Sequence, residues 1–410
     1  MPARPAHASA LFSEDCTQAL QSLRGALTAA VGSLGLDPTR PQELARRLGL
    51  HRNLAWKVAK IINGTDVLAT VPHVPGRSGL EIVARAVGRA GAREQDLARL
   101  RSAMEDFDRV VRLHAGDRGT LDVVARGFAS GASRREATLQ ARRLAFRGNS
   151  AIWGVQARVI LCTNILAPSA EDPRRVDIVQ VCGSVDFRGL RSDVVWPLFR
   201  RAAWGEGLPA HPLDGEPLLP GPSATDVPLL PDFCSPDLPP LEVVHSETET
   251  TYWLPARRVG RTGELTCIYG SLIRAAGPQH AVGQDTRCEL DSNLITPAEL
   301  MHYDLMAHES MTWAHSPRLD VYSLLEQRAS REPGRKGLMR LLIDEPVHEL
   351  GLGLQTMATA HLPRYRELLE SAFEAVGWNA EEFRGFRVML RYPPVPSVVS
   401  VSMELLPESE

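Results

Sequence analysis

The sequence predicts an α+β protein, an all-helical N-terminal region with a helix-turn-helix followed by a mainly antiparallel sheet portion with packed helices. Three observations predict it. Up to about residue 150 the apolar residues recur at three-to-four spacing, and from about residue 153 they alternate. A Pro-rich run at 207–240 then divides the strand candidates into two groups. Strands and helices do not alternate regularly, so a doubly wound sheet is not expected. A chain of 410 residues with 44% hydrophobic content can bury a sizeable core, and its length suits two or three domains.

The start, MPARPAHASALFSEDC, lacks an apolar h-region, and no run of about eighteen apolar residues suits a membrane span. A soluble, cytoplasmic protein without membrane contact is expected. Formal net charge is −3 and the pI is near 6.5, so affinity for nucleic acid has to come from local patches. The six cysteines (Cys16, Cys162, Cys182, Cys234, Cys267, Cys288) contain no CxxC pair and fit neither a disulfide framework nor a zinc knuckle. Buried thiols are the expectation, with no cofactor and no metal.

In chain order, residues 1–16 read as a disordered N-terminus and CTQALQSLRGALTAAVGSLG as a helix of the domain 17–66. The segment ELARRLGLHRNLAWKVAKI, Glu43 to Ile61, then sets five basic residues around one acidic residue, and it holds two of the chain's three lysines. Thr39-Arg40-Pro41-Gln42 can form a capping box with Pro41 in the first turn, so a helix should start near residue 40. It would bury Leu44, Ala45 and Leu48, expose Arg46 and Arg47, and stop at Gly49, which can take the positive φ of a tight turn. A second helix from Arg52 to Ile62 would bury Leu54, Ala55, Val58 and Ile61. His51, Arg52, Asn53, Trp56, Lys57 and Lys60 are left on its other face.

This pattern resembles the helix-turn-helix of bacterial transcription regulators, which have a small residue in the first helix (here Ala45), a glycine in the turn (Gly49) and apolar residues in the second helix (Ala55, Val58). The resemblance covers about twenty residues and identifies no subfamily. It implies a double-stranded DNA partner and a recognition helix lying in the major groove. Arg52 would suit guanine and Asn53 adenine, with Trp56 and Lys57 one turn further on and Lys60, Arg46 and Arg47 on phosphates. Trp56 either faces DNA or anchors a neighbouring domain. The competing reading of the same segment is a helical hairpin for protein contact.

The region 67–150 stays helical. Ser78-Gly79-Leu80-Glu81 is a second capping pattern, opening a helix through Arg89. The next helix, about 93–114, carries Leu97, Leu100, Met104, Phe107, Val111 and His114 along one seam, which serves either an intramolecular core or a homodimer. Ser133-Arg134-Arg135-Glu136 repeats the capping pattern. From Arg126 to Arg158 seven arginines stand against one acidic residue, and Arg134, Arg135, Arg142 and Arg143 are candidates for DNA backbone contacts.

In 151–206, GVQARVILCTNIL and RVDIVQVCGSV read as antiparallel strands, followed by a short helical piece DVVWPLFRRAAW. Residues 207–240 are the Pro-rich connection. The portion 241–410, a candidate sensor or assembly domain, has strand candidates at 241–254, 264–273 and 284–294. A helix opened by Thr296-Pro297-Ala298-Glu299 should follow, then an amphipathic helix PRYRELLESAFEAVGW and two last strands, the second burying Val399, Val401, Met403 and Leu405.

Catalytic patterns are sparse: no Walker A, GxSxG or HExxH is present. The densest reactive group is HYDLMAHESMTWAH, with His302, Asp304, His308, Glu309 and His315. On a helix, His302 and His308 would point to different sides, and the edge of a core explains them more simply than an active site. A DNA-binding regulator, not an enzyme, is the main expectation, with an unidentified effector. An interaction or assembly protein is the alternative, and an enzyme with its site at His302–His315 the least supported one.

Overall fold

The computed structural model of the chain describes residues 6–128, 131–202, 215–219, 228–245, 249–256, 258–283, 286–324 and 336–407. The chain divides into two compact units, Met1–Thr138 and Leu139–Glu410. Among the described residues no helix is long and apolar enough to cross a membrane.

The first unit is helical: α1 (Ala6–Gly32), α2 (Pro41–Leu48), α3 (Arg52–Asn63), α4 (Arg77–Arg89), α5 (Glu94–His114) and α6 (Arg118–Phe128), with a 3-10 turn at Leu68–His73. α7 (Gly131–Trp153) spans the boundary between the units. The disordered start expected for 1–16 is corrected from Ala6 onward, where α1 begins; residues 1–5 lie outside the described residues. Phe12 and Cys16 extend the stripe of Leu20, Leu23 and Leu27 into one buried core, and that burial carries the helix further toward the N-terminus than its polar composition suggests. The seam expected on 93–114 is used here. Leu97, Leu100, Met104, Phe107 and Val111 are buried in the same core, and His114 Nε2 lies 2.8 Å from Asp15 Oδ2 of α1. These residues are spent inside the unit, so the dimer face expected of them is withdrawn.

Two expected capping boxes do not form. Asp37 Oδ1 accepts both the backbone N–H (2.8 Å) and the hydroxyl (2.6 Å) of Thr39, so an Asx turn claims the side chain and Arg40 becomes an N-cap without a side-chain bond. At α4 the N-cap is Gly76, which places Ser78 inside the helix. The pattern at Ser133 lies within α7, where the Ser133 side chain is outside the described residues.

After the last turns of α7, the second unit contains β1 (Val155–Pro168), β2 (Arg175–Gly189), β3 (Trp196–Ala202), β4 (Glu216–Pro217), β5 (Glu242–His245), β6 (Glu249–Leu254), β7 (Leu265–Pro278), β8 (Arg287–Leu294), β9 (Ala298–His308), β10 (Arg318–Ser323), β11 (His348–Leu352), β12 (Phe383–Arg391) and β13 (Ser397–Glu404), with the helix α8 (Tyr365–Val376) between β11 and β12. Seven strands form one sheet in the order β11-β12-β9-β1-β2-β7-β4, and three-stranded sheets have the orders β10-β13-β8 and β3-β6-β5. β1 and β2 pair antiparallel, as the alternation predicts. The β1–β9 pair is parallel and the other pairs are antiparallel. One sheet thus joins strands from both sides of the Pro-rich run, so 151–206 and 241–410 are parts of one unit.

α8 covers one face of the large sheet, where Tyr365, Leu368, Leu369 and Phe373 meet Val159, Leu161, Val181 and Ile268. The other face meets Val321, Val399, Val401 and Met403 of the β10-β13-β8 sheet. Val399, Val401 and Met403 are buried as expected, whereas Leu405 is only partly covered. Two expected helices are strands. Within the piece DVVWPLFRRAAW, Trp196–Ala202 form β3, and the helix expected after Thr296 is β9. β9 lies between β12 and β1 with both faces covered, so its apolar residues run almost continuously and the period-two signal is lost. Of the Pro-rich run, residues 207–214 and 220–227 lie outside the described residues.

Candidate nucleic-acid interface

The two helices of the resemblance form with the expected turn. α2 ends at Gly49, which has φ 63° and ψ 32°, and the N–H of Leu50 returns to the Ala45 carbonyl at 3.0 Å. Leu44 and Leu48 of α2, Leu50 of the turn and Ala55, Val58 and Ile61 of α3 are buried in one core, with Ala45 and Leu54 packed at its edge. From outside, Arg24 Nε of α1 donates to the Ile61 carbonyl at 2.9 Å, giving a last-turn carbonyl of α3 the donor it lacks within the helix. Both the position and the tilt of α3 are therefore fixed by apolar packing and one charged hydrogen bond. Gly49→Ala is expected to lower stability by roughly 1–2 kcal/mol through left-handed strain alone, because a methyl group there would meet no atom within 4 Å. Urea unfolding of the variant checks this; an unchanged midpoint would mean that the turn relaxes at no cost.

Arg46, Arg47, His51, Arg52, Asn53, Trp56 and Lys60 are exposed and Lys57 is half-buried. On α3, Asn53, Trp56, Lys57 and Lys60 follow the three-to-four spacing of one helix face. His51 has a structural task too: it is the N-cap of α3, and its Nδ1 accepts the Asn53 N–H at 3.3 Å. Trp56 is 41% exposed, and its indole meets His73 of the 3-10 turn edge-on at 5.2 Å. Lys60 Nζ stands 5.6 Å from the same ring. The tryptophan thus packs within its own unit while keeping part of its surface open.

Among the described residues no carboxylate lies within ion-pair distance of Arg46, Arg47, Arg52, Lys57 or Lys60. Many arginines elsewhere do have one, as in Arg93–Asp96, Arg109–Asp106 and Arg364–Glu367. The unbalanced charge is felt by His73, where burial and then the positive charges of Lys60 and Lys57 hold the imidazole pKa below its ordinary value.

Of the four arginines expected on DNA backbone, Arg142 is corrected. Its side chain is buried, and Nη2 donates to Glu345 Oε1 at 2.5 Å, so it serves the second unit as an ion pair. Arg143 is exposed on α7, as is Arg135, while Arg134 is half-buried.

The reactive residues at 302–315 do not converge. Because 302–308 is a strand, His302 and Asp304 share the face covered by α8. His308 lies at the strand's end, with Nδ1 2.8 Å from Ser310 Oγ and Nε2 3.3 Å from Glu382 Oε2. His315 meets Phe386 on the opposite side of the sheet. Sequence reading missed what Asp304 does. It accepts from Arg387 Nε (2.9 Å) and Nη2 (2.8 Å) and from the Tyr365 hydroxyl (2.7 Å), while Thr163 Oγ1 lies 2.8 Å from that hydroxyl. Arg387 also donates to the carbonyls of Met357 and Ala358. His302 Nε2 is 3.1 Å from Asp304 Oδ2, yet neither ring nitrogen has a hydrogen bond. The i, i+2 spacing of His302 and Asp304 would have signalled this cluster had the segment been read as a strand. Among the described residues no group of three or more His, Cys, Asp or Glu is placed to hold a metal ion.

Compared with known proteins, the chain matches no protein-family model, no curated protein and no solved structure.

Proposed function

We propose that the protein binds double-stranded DNA through α2 and α3, with α3 in the major groove, and that it acts as a transcription regulator. One observation carries the reading: Arg46, Arg47, Arg52, Lys57 and Lys60 surround a rigidly held helix without a described carboxylate partner, in a chain of net charge −3. A merely solvated face in such a chain would be expected to find counter-charges. A face kept free for phosphates would not. Arg52 and Asn53 in the first turn of α3 are suited to base edges, and Arg46, Arg47 and Lys60 to the backbone on either side. Trp56, supported by His73, offers an apolar surface between them.

The test is fluorescence anisotropy of the whole protein against a labelled random-sequence duplex across a salt series. Tight binding should fall with a slope of log K on log salt of about −0.9 for each phosphate neutralised. Absence of binding at low salt would remove the proposal and leave this face as a protein-contact surface.

A further inference from the structure

We propose that a cleft at the end of the β10-β13-β8 sheet binds a small aliphatic monocarboxylate, its carboxylate held by Arg318 and Arg287 and its alkyl end set against Trp313. The cleft has a volume of about 90 Å³, and Trp313, Ser316, Arg318, Ser402, Glu404 and Arg287 are among the residues that line it. A single water needs about 10–15 Å³, so a molecule of several heavy atoms fits.

Strand register brings these residues together. On β13, Val401 and Met403 belong to the core, so Ser402 and Glu404 alternate onto the other face. Arg318 of β10 stands directly opposite Ser402, and Arg287 of β8 directly opposite Glu404. β8 and β10 flank β13 and therefore lie about 10 Å apart, a gap that two arginine side chains reaching over β13 can close. The remaining wall is the 3-10 turn Thr312–His315, where Trp313 is 8% exposed. Its Nε1 donates to Gln279 Oε1 at 3.2 Å, and the Leu406 N–H donates to the Gln279 carbonyl at 3.1 Å. The indole is thus tied to the chain just beyond β13.

The polar groups of the cleft point to an anion. Ser402 is 7% exposed, yet its hydroxyl has no hydrogen-bond partner among the described residues. A hydroxyl so enclosed needs a partner, and the cleft is where one can sit. Arg318 is exposed, and among the described residues no carboxylate lies within ion-pair distance of it. Arg287 meets Glu404 at 3.6 Å between side chains that are 48% and 71% exposed, a pair loose enough to admit a second carboxylate. A guanidinium offers a fork of N–H donors that matches the two oxygens of a carboxylate. Charge then selects among anions. Two guanidinium groups against Glu404 leave one net positive charge on the lining, and Glu289, opposite Ser402 on the same face, opposes a second negative charge on the ligand. A monocarboxylate is therefore favoured over a phosphate dianion.

The experiment titrates the whole protein with propionate and follows binding by saturation-transfer NMR of the propionate protons. Expected is saturable binding with a Kd of about 1 mM, within the ceiling for so few atoms, weakened at least about tenfold in Arg318→Gln and measurably in Ser402→Ala. Inorganic phosphate at pH 7.5 should displace propionate only at about tenfold higher concentration. A signal that does not saturate, an affinity unchanged in Arg318→Gln, or tighter binding of phosphate than of propionate would overturn the assignment. Arg318 is exposed and holds no described ion pair, so its replacement leaves the fold intact. Arg46→Ala with Arg47→Ala should bind propionate as the parent does, and equal weakening there would mean only general attraction of anions to arginine. No residue of α2 or α3 takes part, so failure of this site and failure of DNA binding are read separately.

Discussion

Replacing Arg387 by methionine is expected to cost about 3–5 kcal/mol of stability, because it leaves the buried Asp304 carboxylate facing apolar side chains without its two strongest donors. Asp304 is fully buried, and among the described residues it would keep the Tyr365 hydroxyl as a hydrogen-bond donor and His302 Nε2 at 3.1 Å. The carbonyls of Met357 and Ala358 would also lose the guanidinium. Changing both partners, Asp304→Leu with Arg387→Met, removes the charge together with its partner. The double variant should therefore lose less than the sum of the single ones, as a double-mutant cycle in urea would show. A loss under about 1 kcal/mol for Arg387→Met would mean that Asp304 reaches water or takes up a proton at little cost.

The pH dependence of this cluster follows from its sign. Burial alone would raise the Asp304 pKa, but His302 and the bonded guanidinium of Arg387 together hold it below the ordinary carboxylate value. A depressed pKa means that the unfolded chain binds the proton more readily. The contribution is thus fully present above about pH 4, the unfolded value, and is lost as pH falls through the lower folded value. Urea midpoints measured from pH 6 down to pH 2 should fall more steeply below pH 4 for the parent than for the double variant. Parallel curves would show that Asp304 titrates alike in the folded and unfolded chain.

How far these features were legible in the sequence differs between the two units. In the first, the periodicity of Leu44, Leu48, Ala55, Val58 and Ile61 and the single glycine at 49 define helices, turn and exposed face, since each is a local property. Asp37 diverting Thr39 was harder to see, because two local hydrogen bonds competed for one side chain. In the second unit β1 and β2 declare themselves by alternation, but β9 does not. A central strand covered on both faces loses its polar side, and Thr296-Pro297 then imitates a helix start. With β9 read as a helix, His302 and Asp304 fell on separate faces, and their link to Arg387, 83 residues later, depended on a strand pairing that no local pattern announces.

Changing Arg52 and Lys57 together to alanine is the variant expected to alter DNA binding most for the least structural cost. Arg52 is exposed and Lys57 half-buried, neither is paired with a described carboxylate, and α3 retains its core of Ala55, Val58 and Ile61. Stability should therefore change by no more than about 0.5 kcal/mol. Losing a bidentate arginine at a base edge costs about 1–3 kcal/mol of affinity for the preferred sequence, whereas losing a lysine at a phosphate weakens all sequences and makes the salt slope shallower by about 0.9. The two effects separate in one experiment. On a random duplex the double variant should show mainly the shallower slope, and on a selected binding site it should lose discrimination as well. Arg46→Ala with Arg47→Ala should change the slope alone, because these residues lie on α2, away from the first turn of α3. A double variant of Arg52 and Lys57 that unfolds several degrees lower and binds with an unchanged salt slope would make this face part of the scaffold.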